Sequence, residues 1–430
     1  MLTIKKAAPL RGEAAIPGDK SISHRSIMLG ALADGDTHVT NFLESADCLS
    51  TIDCFTRLGI FVERDFTHPG HVIVHGMGMQ GLHPSFHTVV LYTGNSGTTT
   101  RIMTGILAPQ RFVSLVSGDN SVNARPMKRV ITPLAQMGAK IVSMNDDGCA
   151  PLQITGTPLH GISYDSPVAS AQVKSAILLA GLYAEGPTTV NEPTKSRDHT
   201  ERMLRAFGAS VETKGNSVTV TPTDRLTPID IEVPGDISSA AYFLAGACIV
   251  PGSEVLLKHV GINPTRDGIL RVAKAMGADI ELVNETKDAE PCADLLVKSS
   301  ALHGTTIGGD LIPTLIDELP VIAVMAACAE GTTVITDAAE LRVKESDRIR
   351  AVAEGLSAMG ADITPTADGF VIHGGKPLHG AKIHTYDDHR IAMSFAVAGL
   401  AAEGETTLDD ESCVRISYPS FFRDLAALER

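Results

Sequence analysis

Apolar residues along this chain recur at helical spacing in runs that end, five times, on a glycine. The stops are Leu58-Gly59-Ile60, Met137-Gly138-Ala139, Phe207-Gly208-Ala209, Met276-Gly277-Ala278 and Met359-Gly360-Ala361. Ile349, Val352, Leu356 and Met359 show the spacing that lays one apolar stripe along a helix. A glycine after such a stripe suits the left-handed residue that closes a helix. Beyond each stop, a short strand, a turn with Gly, Asn or Asp, and a second alternating strand predict a hairpin, as in Val211 to Val220 and Ile363 to Ile372. Upstream of each stop lies another apolar helix and then a strand. Ala180 to Gly186 before Thr188-Thr189-Val190 is one case, and Ala398 to Gly404 before Thr406-Thr407-Leu408 is another.

The unit therefore reads helix–strand–helix–strand–strand, and it repeats. A sixth copy starts at Asp387 and reaches Arg430 without its hairpin, so its missing strands are expected from the N-terminal segment around Leu2 to Ile16. Six copies divide most simply as three per lobe. The expected fold is α/β in two lobes, residues 20–234 and residues 1–19 plus 235–430. The crossings fall near Pro17–Lys20 and Val233–Asp236, both bearing Pro and Gly. Two connecting strands suggest a hinge that closes on ligand.

Composition narrows the partners. The 430 residues are 43% hydrophobic and 20% charged, which allows two or three globular domains with large cores. Aromatics are 4% and Trp is absent, which argues against stacking platforms for single-stranded nucleic acid. A net charge of −14 makes the surface a poor partner for nucleic acid or anionic lipid, although a lined cleft can still be locally cationic. Seven scattered cysteines without a CxxC pair read as reduced thiols in a cytoplasm. The start, Met1 to Lys6, lacks a signal-peptide core, and no apolar run has the length of a membrane span.

The polar residues that a packed core does not need collect at one place in each repeat, just before or at the start of the first apolar helix. They are Gly18 to Arg25, Thr93 to Arg101, Ala169 to Lys174, Gly235 to Ser239, Asp317 to Pro320, and Asp387 to Arg390. A helix N-terminus offers free N–H groups and a partial positive charge, so several such ends on one cleft would hold a phosphate or carboxylate. Helix capping alone would explain Asp236 and Ser238 equally well. It does not explain the charges of Lys20, Arg25, His389 and Arg390. The second helices add Arg125, Arg197 and the run Leu341-Arg342-Val343-Lys344-Glu345-Ser346-Asp347-Arg348. Lys344 and Arg348, at i and i+4, are expected on one helical face with Glu345 beside them. A solvated face of paired charges is the usual source of such a run, but Arg125 and Arg197 occupy the corresponding place in other repeats, which favours function.

Two patterns carry less. Gly76-Met77-Gly78-Met79-Gln80-Gly81 matches GxGxxG, but Leu82-His83-Pro84 follows where a dinucleotide fold needs a helix. His68, His71 and His75 straddle a turn and a strand without the companions that zinc requires, so no metal is expected.

Taken together, Gly18-Asp19-Lys20-Ser21, Gly94-Asn95-Ser96-Gly97-Thr98, Arg125-Pro126, Ser170-Ala171-Gln172, Arg342 to Arg348 and Asp388-His389-Arg390 are specific. With these motifs the chain closely resembles the 5-enolpyruvylshikimate-3-phosphate synthases, enolpyruvyl transferases of the shikimate pathway, from about Lys5 to Phe422. Gly18-Asp19-Lys20, Ser170 to Lys174, Ser196 to Glu201 and Asn263 to Arg266 resemble the bacterial class II form. The resemblance implies two lobes, each of three βαβαββ repeats. It implies that Lys20, Ser21, Arg25, Ser170, Gln172, Arg197, Asp317 and Lys344 meet shikimate 3-phosphate. It implies that Lys20, Asn95, Gly97, Arg125, Gln172, Arg348, His389 and Arg390 line the phosphoenolpyruvate side, which in this family the phosphonate herbicide glyphosate also occupies. Many members carry a Lys three residues before the Pro of the last aromatic-Pro pair, where this chain has Ile416 beside Arg415.

The implied chemistry needs a proton donor, a base and clamps for two anions, with no metal or organic cofactor. Glu345 and Lys20 are the acid/base candidates at the phosphoenolpyruvate carbon, and Asp317 is the base candidate at the acceptor hydroxyl. The expected partners are these two small substrates, acting on a monomer. Two other readings remain. The sister UDP-N-acetylglucosamine transferase normally has a Cys in the loop before its Ala-Arg-Pro and Lys-Asn near the first helix, whereas this chain has Gly118 to Ala124 without Cys and Lys20-Ser21. A non-catalytic anion-binding protein would gain nothing from Asp317 and Glu345, since carboxylates weaken an anion site unless they do chemistry.

Overall fold

Six helices are enclosed on almost every side. Lys20–Leu32, Gly97–Leu107 and Ala171–Gly181 belong to the middle of the chain, and Ile237–Ile249, Leu319–Cys328 and His389–Ala401 to its second half. A helix without a polar face has no stable place at a surface, so it becomes a core. The computed structural model describes residues 2–286 and 289–429. The chain divides into two compact units, Gly18–Val233 (the central unit) and Met1–Pro17 with Pro234–Arg430 (the terminal unit). Each has its own apolar core.

In the terminal unit the three enclosed helices pack pairwise against one another. In the central unit the Gly97–Leu107 helix packs against the other two. A Cβ on Gly105 would lie 2.0 Å from the Ala176 carbonyl oxygen, so only glycine lets those two helices come this close.

Five amphipathic helices bury one face each: Ala46–Arg57, Lys128–Gln136, His199–Ala206, Gly268–Ala275 and Arg348–Ala358. Each ends at its expected glycine, and Gly59, Gly138, Gly208, Gly277 and Gly360 all have φ between 86° and 99°. A side chain at such a φ would be strained, which is why the stop recurs as glycine.

The described strands form six sheets, five of four strands and one of three. In the second repeat Thr88–Tyr92 runs parallel to Val113–Ser117, which pairs antiparallel with Leu152–Thr155, and Lys140–Ser143 closes the edge. This is the βαβαββ order, and the fold is α/β with six repeats.

The N-terminal segment departs from expectation. Only Leu2–Lys5 completes the sixth sheet, antiparallel to Glu405–Leu408. Arg11–Ala15 instead runs parallel to Glu254–Gly261 in the fourth sheet. The reason lies at the other crossing, where Ile231–Glu232 runs parallel to Asp34–Thr40 in the first sheet. The fourth repeat thus lacks an upstream strand of its own, and Arg11–Ala15 covers that open edge. Among the described residues, no helix is long and apolar enough to cross a membrane.

Candidate active site

Five of the six enclosed helices begin with capping side chains, and Leu319–Cys328 has none. Asp19, Ser96, Ser170, Asp236 and Asp388 each accept a hydrogen bond from a backbone N–H in the first turn. Capping is therefore part of what these residues do, and it is what Asp236 does for Ser238 at 2.8 Å. The residues just inside the caps carry the remaining charge.

In the central unit the three helix starts are tied together. Arg25 is buried and its guanidinium reaches Thr200 Oγ1 (2.6 Å), the Ser21 carbonyl (2.9 Å) and Ser175 Oγ (2.9 Å). Arg101 donates to Gln172 Oε1 at 2.8 Å, and Gln172 Nε2 donates to Thr98 Oγ1 at 3.1 Å. Lys20 Nζ lies 3.1 Å from Asp47 Oδ2. Arg125 donates to Ser121 Oγ (2.9 Å) and Asn95 Oδ1 (3.4 Å), and Asn95 Nδ2 donates to Asp119 at 2.8 Å. Gly97 opens the second of these helices beside both arginines: a Cβ there would sit 3.0 Å from Arg125 Nη1 and 3.3 Å from Arg101 Nη1. Arg197 is half-buried in the segment ahead of the His199–Ala206 helix. Beneath Lys20 lies His24, wholly buried, with Nδ1 2.7 Å from Thr51 Oγ1. Burial first, then the charges of Lys20 and Arg25, holds its pKa well below the ordinary histidine value.

In the terminal unit the organising group is Asp317. Its carboxylate lies 3.5 Å from Lys344 Nζ, 3.4 Å from Arg348 Nη1 and 3.9 Å from Arg390 Nη2. Arg348 is fully buried and is gripped at two points by Asp388, at 2.8 and 3.2 Å, while its Nη2 donates to Glu345 at 2.6 Å. Burial opposes the charge on Arg348, but Asp388 and Glu345 outweigh it and raise its pKa above the ordinary arginine value. Burial likewise opposes the charge on Asp388, and Arg348 outweighs it, so the carboxyl stays below the usual range. Arg390 is kept charged against its burial by Asp317, Tyr242, Glu318 and Asp236. His389 is buried at the start of the same helix.

Lys344 and Arg348 do not share a helical face. The helix begins at Arg348, capped by Asp347, and Lys344 follows a separate 3-10 turn over Ala339–Val343. Asp317, just ahead of the first helix of the same repeat, is what brings the two cations together. Arg342 points elsewhere and pins a turn through the Thr366 and Ala367 carbonyls at 2.7 and 2.8 Å. Arg415 is exposed.

Three residues emerge that the motif reading did not assign. Arg101 and Asp388 lay inside motifs already singled out, and a charge one turn into an enclosed helix, or capping it, was the available signal. Asp47, the partner of Lys20, had no such signal, because it lies on the Ala46–Arg57 helix, outside the polar clusters.

The profile of EPSP synthase (3-phosphoshikimate 1-carboxyvinyltransferase) matches residues 4–425. The chain belongs to that family. A 3-phosphoshikimate 1-carboxyvinyltransferase of Geobacter sulfurreducens is 54% identical, over 98% of this chain and 97% of its own. One of Bacillus subtilis is 52% identical, over 99% of both chains. The solved EPSP synthase of Acinetobacter baumannii matches this fold with a TM-score of 0.89 at 48% identity, covering 99% of this chain and 97% of that one. In the terminal unit the Arg390–Asp317 and Arg348–Asp388 pairs join the fifth and sixth repeats, and in the central unit the Arg101–Gln172 hydrogen bond joins the second and third.

Proposed function

We infer that this chain transfers the enolpyruvyl group of phosphoenolpyruvate to the 5-hydroxyl of shikimate 3-phosphate and releases phosphate. The observation that carries this is the family match along residues 4–425, with relatives of that name above half identity. The alternative acceptor, UDP-N-acetylglucosamine, is not favoured.

In this reading shikimate 3-phosphate contacts Lys20, Ser21, Arg25, Ser170, Gln172, Arg197, Asp317 and Lys344. Phosphoenolpyruvate contacts Lys20, Asn95, Gly97, Arg125, Gln172, Arg348, His389 and Arg390. Helix N-termini and buried guanidiniums supply the positive field for both anions. Asp317 takes the proton of the 5-hydroxyl as its oxygen bonds to the central carbon of phosphoenolpyruvate. Lys20 and Glu345 handle the proton that joins the methylene carbon. A ketal phosphate results. Loss of that proton and cleavage of the carbon–oxygen bond to phosphate then give the enol ether. The three cations around Asp317, and Arg348 on Glu345, support this by holding both carboxylates in fixed directions.

No metal or organic cofactor is required. We place the reaction in the cytoplasm, where seven free cysteines stay reduced, and take a monomer as the working form. Phosphate release tests the reading: it should require both substrates together, and release from phosphoenolpyruvate alone would overturn it.

A further inference from the structure

Lys174 sits four residues into the third enclosed helix of the central unit with its side chain 1% exposed. Its ammonium lies 2.7 Å from Glu192 Oε2 and 2.8 Å from Glu201 Oε1, both carboxylates also 1% exposed. Burying one ammonium with two carboxylates is a poor route to stability, because desolvation of such a set is only repaid by very good geometry. What the set does hold is a loop. Lys174 Nζ donates to the Ser196 carbonyl at 3.2 Å, and the Ser196 N–H donates to Glu192 Oε2 at 3.2 Å. Both backbone groups of the residue preceding Arg197 are therefore fixed by the triad. The segment is held again beyond Arg197. Thr200 Oγ1 takes the Arg25 N–H at 2.6 Å and shares a hydrogen bond with Ser175 Oγ, the residue after Lys174.

We propose that Lys174, with Glu192 and Glu201, is a positioning residue that sets the direction of Arg197 for the acceptor substrate. The proposal rests on the reading of Arg197 as a shikimate 3-phosphate contact. Lys174 touches no substrate. It acts through the Ser196 backbone, so its loss should be felt in acceptor binding and not at phosphoenolpyruvate.

A double-mutant cycle with steady-state kinetics on the full chain tests this. Lys174→Met should raise the KM for shikimate 3-phosphate about tenfold, with the phosphoenolpyruvate KM unchanged. In an Arg197→Met background the same substitution should add less than about twofold, since the group it positions is gone. A structural role would give equal, additive losses for both substrates and would overturn the proposal. Should Lys174→Met fail to fold, Glu192→Gln is the second arm. It leaves one ammonium against one carboxylate and weakens the grip on both Lys174 and the Ser196 N–H. It should raise the acceptor KM in an Arg197-dependent way, and an unchanged KM would overturn the proposal. Arg197→Met alone separates the underlying reading. If that variant leaves the acceptor KM untouched, Arg197 is not a contact, and the assignment fails before the role of Lys174 is reached.

Discussion

Gly97 faces Arg125 so closely that a methyl group on it would lie 3.0 Å from the guanidinium Nη1. Such a contact is tight but not prohibitive, so Gly97→Ala should fold and push Arg125, and to a lesser degree Arg101, off position. We expect the phosphoenolpyruvate KM to rise severalfold. The inhibition constant of glyphosate, which is longer, should rise more. Equal fold-changes in the two constants would show that Gly97 does not discriminate between them.

Glu345 accepts a hydrogen bond from Arg348 at 2.6 Å, and a glutamine can still accept it. Glu345→Gln should therefore bind shikimate 3-phosphate nearly normally, while kcat falls by about 10²–10⁴, the usual loss when a general acid or base is removed. Equilibrium binding beside turnover checks this, and near-normal turnover would remove Glu345 from the chemistry.

Asp317 is shared by Lys344, Arg348 and Arg390. Asp317→Asn removes a negative charge from among three cations. Phosphoenolpyruvate should bind as tightly as before or more tightly, while turnover drops for want of the base. Weaker phosphoenolpyruvate binding would mean that Asp317 is needed to arrange the cations and not to accept a proton.

How much of this was legible in the sequence depends on how local each feature is. The glycine stops were readable because a left-handed cap is fixed by one residue and its helix. The destination of Arg11–Ala15 was not, because a five-residue strand pairs with whichever open edge the whole fold leaves, here Glu254–Gly261. The Lys344–Arg348 pair was misread as one helical face because Asp347 restarts the helix at Arg348, a capping event that the spacing of charges does not reveal. Arg25 stood out as a charge that no cap needs, but its hydrogen bonds to Thr200 and Ser175 join the first repeat to the third and leave no periodic trace.

Asp388 is the counter-charge of a wholly buried arginine. Asp388→Ala strands Arg348 with only part of its partners and removes a helix cap, so it should cost about 3–5 kcal/mol of stability. The double variant Asp388→Leu with Arg348→Met should recover most of that loss while remaining inactive. Denaturant titration of both proteins checks the pair, and an unchanged midpoint for Asp388→Ala would contradict the ion-pair account.

His24 is neutral in the folded protein because burial, Lys20 and Arg25 depress its pKa. The unfolded chain takes up this proton below about pH 6.5, where the native state still refuses it. The stability that follows is complete above that pH and is lost as pH falls, at up to about 1.4 kcal/mol per pH unit. Unfolding free energies measured between pH 7.5 and 5.5 should decline in the wild type and decline less in His24→Gln. Parallel slopes would mean that another group carries the loss.

The most direct measurement of the central claim is phosphate release from phosphoenolpyruvate with shikimate 3-phosphate or UDP-N-acetylglucosamine as the acceptor, at matched concentrations. Turnover with shikimate 3-phosphate and background release with the nucleotide sugar are expected. Equal or greater turnover with the nucleotide sugar would contradict the account.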